Sequence, residues 1–342
     1  MESKLLSLFG AGPLETHVPT LFRFFMVSQK RSDAHTAIPI VANFCLAGLF
    51  TLVNLSLCLA VPLWLLPLDI AWGWLLIPLV LTTPAFWALI HECVHGVFHP
   101  NRTVNNGVGR FFGWQFGAPF RVLRQAHLIH HKVSRTAMDR PEVWNREGES
   151  WLARAINYYG NLIIGLYATE VSALVLCWIP QPWLGRVVRI IFRPRDEGSP
   201  DVRDWAVKQL VEDGRHWALR LDALIICVLY GLSFWLYGAY WPLLLAAILG
   251  RGFLISFLDN IYHYGTPLDQ IRYSLNLSLP GWTSALILHF NHHRTHHLFP
   301  HVPWRGLPAI HAEKDRGYEQ SYAFAALNQL KGPIAMETLQ QP

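Results

Sequence analysis

Six histidines crowd the stretch from Leu288 to Trp304, LHFNHHRTHHLFPHVPW: His289, His292, His293, His296, His297 and His301. On a helix advancing about 100° per residue, the first five fall within an arc of roughly 140°. The stretch is therefore expected to present one wall of imidazoles. Such a wall is costly to bury by itself, because nothing in it pairs donors with acceptors. Imidazole suits zinc, copper, iron and nickel, so a bound metal is the economical expectation. Pro300 and Pro303 should end the helix just beyond the wall.

Three further groups join this one. HECVH places His91 and His95 at i, i+4 on one helical face, and it is also an HExxH string, which in zinc proteases supplies two ligands and a general-base Glu92. HLIHHK places His127, His130 and His131 on one face, and LDNIYHYG adds His263 shortly after Asn260. The final stretch holds two overlapping HxxHH frames, His289–His292–His293 and His293–His296–His297, so its register is open. With the second frame, the groups contribute two, three, one and three imidazoles. Nine overshoot the three protein ligands of a catalytic zinc and suit two iron ions, which favours dioxygen chemistry over hydrolysis.

The elements that position these groups are apolar. Of 342 residues, 52% are hydrophobic and 15% charged, with 15 Trp and a mean hydropathy of +0.24. That composition fits a polytopic membrane protein. From Thr36 to Ile90 there is no Lys or Arg, and Asp69 is the only formal charge. Spans are expected at about 39–65 and 71–94, turning near 66–73, and at about 221–238 and 241–258, turning near 237–242. The positive-inside rule puts the cation-free turn outside and every histidine group on the cytosolic face. Residues 180–220 carry eight Lys/Arg against six acids, so the apolar 155–179 before them is read as interfacial or re-entrant. The 21–31 segment reads as interfacial and basic-edged, and residues 305–342 as a short polar tail, helical around 322–330. One domain, 1–342, is expected. The five cysteines form no CxxC pair and read as free thiols.

HECVH (91–95), HLIHHK (127–132) and NHHRTHHLFPHVPW (291–304), with boxes at 91–95, 127–131 and 289–297, resemble the three His boxes of the membrane fatty-acid desaturase and hydroxylase superfamily, which read HxxxH, HxxHH and HxxHH. The last segment also resembles the carotenoid ketolases of that superfamily. The resemblance covers Ile90 to Trp304. It implies an all-α integral membrane fold, with a four-helix transmembrane stem and a cytosolic helical cap holding two irons (Fe2+/Fe3+). Carried onto this chain, the ligands are His91, His95, His127, His130, His131, His293, His296 and His297, with His263 as the extra ligand after the last span. Asn260 corresponds to an Asn that reaches iron through water, with Asp259 as its alternative. Asp139 resembles the acidic residue that orients the second box. His99, His289, His292 and His301 lie outside the family's set and are assigned supporting or structural roles.

The implied reaction uses dioxygen and external electrons to desaturate a fatty acyl chain carried on lipid, CoA or acyl carrier protein. A hydroxylase or ketolase acting on a carotenoid or fatty chain is the alternative with the same metals, and an intramembrane zinc protease built on His91, Glu92 and His95 is the hydrolytic one. The chain has no GxGxxG fingerprint and no cysteine set for an iron–sulfur cluster. An acidic ferredoxin or small cytochrome is the expected donor, meeting the basic 180–220 face. Formal charge is +5, and with no nucleic-acid motif the partners expected are membrane lipids and acidic proteins. A bacterial inner membrane, with the site facing the cytoplasm, is the expected setting.

Overall fold

The computed structural model describes residues 36–339 except 197–198, 213 and 271–272; the 21–31 segment lies outside the described residues. Four helices are long and apolar enough to cross a membrane: Ile40–Leu65 (α1), Ile70–His95 (α2), Trp151–Leu176 and the 46-residue run Arg215–Asn260. Polar and shorter helices fill the intervals: Arg102–Phe116 (α3), Phe120–Val133 (α4), then Trp151–Leu176 (α5), Gln181–Ile191 (α6) and Arg203–Leu210 (α7). The long run comprises Arg215–Tyr237 (α8) and Trp241–Asn260 (α9).

Two turns between these helices are set by single residues. Asp69, in the cation-free turn, caps the helical turn that opens α2 by accepting from the Ala71 amide at 2.8 Å. Gly238, at φ +49°, makes the turn between α8 and α9. Tyr237 and Leu244 flank that turn and share one buried cluster with Leu57, Val61, Leu66 and Leu76 of the α1–α2 turn. The two turns therefore meet at one end of the bundle. Large apolar side chains such as Val41, Leu52, Trp64, Ile77 and Trp235 point outward from these helices, which is the surface a lipid solvent requires.

Helix α5 runs differently. At its start Tyr158 donates to the Gln329 carbonyl at 2.7 Å and accepts from Asn260; at its end Leu176 packs with Ile129 and Val133 of α4. Both ends thus touch the elements that carry histidines. Its middle lies close against α9: a Cβ on Gly252 would stand 2.8 Å from the Tyr167 ring.

Beyond α9 come Gly281–Leu286 (α10), His293–Leu298 (α11), Leu307–Lys314 (α12) and Tyr322–Asn328 (α13). Two miniature parallel strand pairs bind the end of the chain into this assembly, Val143–Trp144 with Ile334–Ala335 and Leu277–Ser278 with Gln320–Ser321. Residues 305–339 are therefore an integral part of the cap rather than a polar tail. Gln329 is fully buried and bonds Asn260 and the Phe257 carbonyl, a cost no loose segment would meet.

Candidate metal centre

The nine histidines come together from four separate elements and divide into two groups. His91, His95, His127, His131 and His296 form one; His130, His263, His293 and His297 form the other. In each group one ring nitrogen per residue lies within 4.8 Å of all the rest. The division follows helix geometry. His91 and His95 sit one turn apart at the end of α2, where Gly96 in the left-handed conformation (φ +74°) closes the helix. His127 and His131, one turn apart on α4, face the same group, while His130 turns to the other. On α11, His293 and His297 share a face and His296 points across. Each HxxHH thus gives a member of its doublet to each group.

The sequence expectation of one helical wall from His289 to His297 is corrected. Helix α11 begins only at His293, because Leu288 (φ +51°) and His289 (φ +56°) adopt left-handed backbone that a helix cannot contain. His289 instead pairs its Nδ1 with Ser284 Oγ at 2.8 Å and stacks on Trp304, and His292 packs against His311. That places the third frame at His293–His296–His297.

Within the first group, His127 Nε2 lies 2.9 Å from both His91 Nε2 and His131 Nε2, and His131 Nε2 lies 3.1 Å from His296 Nε2. In the second, His293 Nε2 is 3.2 Å from His263 Nε2 and 3.1 Å from His297 Nε2. Neutral imidazole has one donor and one acceptor, so protons cannot satisfy nitrogens converging in this number; a cation can. The buried His95 Nε2 has no partner at all. Burial first, and then crowding by neighbouring rings, hold His127, His131, His293, His296 and His297 well below the ordinary histidine pKa. Neutral rings with free lone pairs are the form that binds metal. The donor set therefore fits two first-row transition ions side by side; the His131 and His297 rings, one from each group, are 4.3 Å apart.

Asp139 accepts from His130 Nδ1 at 2.5 Å. Burial opposes charge on this ring, yet the neighbouring carboxylate prevails and raises the His130 pKa. The bond also fixes the tautomer, leaving His130 Nε2 for the second group. The Asn260 side-chain amide donates to Gln329 Oε1 at 2.8 Å and Tyr158 Oη at 3.2 Å. Asp259, its alternative, lines an apolar cleft between α2, α9 and the approach to α11.

That cleft reaches the metal groups through two rings. Phe290 packs at 5.0 Å from His91 and 4.9 Å from His293, and Tyr262 stacks on His293 at 4.4 Å. Trp87, Ile255 and Leu258 complete its wall, and its free space is only about 20 Å³.

Several supporting residues were invisible to spacing arguments. Thr295, fully buried inside α11, is clamped by Asp315 Oδ2 at 2.8 Å and by Asn276, while Arg294 pairs with Asp315 at 2.7 Å and with Glu319. These partners lie about twenty residues away in sequence, and only their acidic or amide character hinted at a role.

Residues 70–326 match the fatty acid desaturase family, a span holding all nine histidines. The fatty acid conjugases FAC2 A and FAC2 B of Calendula officinalis are each 24% identical to this chain over 235 residues, 64% of this chain and 60% of theirs. The chain thus spans about 60% of the length of these curated relatives. No solved structure matches. With the match covering most of its length and every box, the chain belongs to the fatty acid desaturase family.

Proposed function

We propose that this protein desaturates a fatty acyl chain, using dioxygen and electrons delivered from outside. The observation that carries the reading is the division of nine imidazoles into adjacent groups of five and four. Two irons held there would supply the oxidising power needed to break an unactivated C–H bond. The protein's part is to place the chain and exclude water. Phe290 and Tyr262 stand between the cleft and the rings, so an acyl chain entering between α2 and α9 would present its carbons beside them. The closed cleft must widen to admit it. Relatives named fatty acid conjugases support a fatty acyl substrate.

The basic surface of 180–220 suits an acidic donor, a ferredoxin or small cytochrome, and would equally receive an acyl carrier protein. We place the metal groups at the cytoplasmic face of a bacterial inner membrane, with α5 lying along that face because both its ends meet the cap.

Expression in a lipid-producing host, followed by mass spectrometry of its lipids, tests the reaction. Loss of two hydrogens from an acyl chain is expected, and disappears in His131→Ala and His297→Ala. Gain of oxygen instead would establish a hydroxylase or ketolase, and an unchanged lipid profile with metal-loaded protein would reject both.

A further inference from the structure

A second concavity, of about 280 Å³, lies among α3, α4, α7 and α8. Four guanidinium groups line it, those of Arg110, Arg121, Arg124 and Arg215, against the single carboxylate of Asp222. On α4, positions 121, 124, 125 and 128 fall within an arc of about 100°, beside the arc that carries the histidines.

Asp222 is already committed. Only 1% exposed, it accepts from Arg110 Nη2 at 2.6 Å and Nε at 3.0 Å, and from the Trp114 indole at 2.9 Å. None of the ion pairs among the described residues involves Arg121, Arg124 or Arg215. Arg121 reaches the Gln209 carbonyl at 3.4 Å and Arg124 the Asn106 amide oxygen at 3.1 Å. Arg124 Nε and Arg215 Nε are buried without a partner. Burial, and then the neighbouring cations Arg215 for Arg121 and Arg102 for Arg124, lower the pKa of both α4 arginines. Three forks with no ion pair among the described residues line one hollow, where an anion would offset their mutual repulsion.

We propose that this hollow binds a phosphate-bearing headgroup, gripped by Arg121, Arg124 and Arg215. A phosphate offers several acceptor oxygens in the geometry that guanidinium forks match, and more charge than a single carboxylate. The volume far exceeds the ~10–15 Å³ that one water needs, and being recessed it suits a small group rather than the surface of a folded partner. The phosphate can belong to a membrane phospholipid or to a soluble phosphate ester.

Calorimetric titration of the detergent-purified full-length protein separates these cases. The probes are inorganic pyrophosphate and dioleoyl phosphatidate presented in phosphatidylcholine nanodiscs. At least one should bind, with affinity reduced tenfold or more in Arg121→Gln and Arg215→Gln, and reduced less in Arg215→Lys, which keeps the charge but loses the fork. Metal content and melting temperature of the variants serve as folding controls. Tighter binding of phosphatidate identifies a lipid source, and tighter binding of pyrophosphate a soluble one. Unchanged affinity in the well-folded variants, no binding of either probe, or tighter arginine-dependent binding of a glutamate-rich peptide would overturn the proposal.

Discussion

The backbone amide of Trp304 donates to Glu92 Oε2 at 3.1 Å, joining residues 212 positions apart in the chain. The Trp304 indole extends the link to Asn43 at 2.9 Å, and Asn43 in turn donates to the Phe98 carbonyl at 2.8 Å. Glu92 is therefore a buried tie between α2 and the segment after α11, its Oε2 accepting the amide proton of Trp304. Replacing it with Gln keeps an acceptor for the Trp304 N–H. Glu92→Gln should retain full metal content and product formation within a few-fold of the parent, whereas Glu92→Ala leaves a buried donor unpaired and costs about 1–3 kcal/mol. Complete loss of turnover in Glu92→Gln, with metals in place, would restore the hydrolytic use of the HExxH string.

Metal content distinguishes the two histidine groups. His131 and His130 are neighbours in sequence but belong to different groups, as do His296 and His297. Elemental analysis of His131→Ala or His296→Ala should show one metal reduced with the second largely kept; His130→Ala or His297→Ala should show the complementary loss. His289→Ala and His292→Ala, outside both groups, should keep the parent's complement. Equal loss in these last two would mean that the frame beginning at His289 is the ligating one.

The helical, apolar architecture and the identity of the histidine groups were legible in the sequence because both are written in local period: apolar runs of membrane length, and i, i+3, i+4 repeats. What local period cannot encode is where a helix starts when backbone strain intervenes. Leu288 and His289 carry no glycine to signal their positive φ, so the wall looked continuous. Nor does spacing reveal partners brought together by the fold. Asn260 stands beside His263 in sequence, but a side chain sixty-nine residues later, Gln329, takes its amide. The closing segment looked like a tail because its contacts are single hydrogen bonds and two-residue strands, too short to leave a pattern.

Asp139 bonds His130 Nδ1 and belongs to neither histidine group. Its bond to His130 fixes one tautomer, and carboxylates in this position typically contribute 10–100-fold to metal affinity. Asp139→Asn should lower retention of one metal by about that factor in a chelator competition, while the group containing His131 holds its own. A uniform loss of both metals would show that Asp139 supports the cap as a whole.

Arg135 and Glu142 form an ion pair at 2.7 Å whose side chains are 0% and 1% exposed. Arg135 also donates to the Thr266 carbonyl at 2.9 Å, which tethers the strand of chain after His130 to the turn that presents His263. Removing one partner strands the other charge in a dry site, at about 3–5 kcal/mol. Glu142→Gln and Arg135→Met should each lower the melting temperature of the purified protein markedly. The double replacement Arg135→Met with Glu142→Leu, which leaves no orphan charge, should recover most of that loss. Because the same pair sets the approach of His130 to His263, the single variants should also shed the metal of the four-histidine group before the chain unfolds. Melts followed in parallel by metal release would show the two events separating by several degrees; coincident release in every variant would mean that the pair stabilises the cap without positioning the histidines.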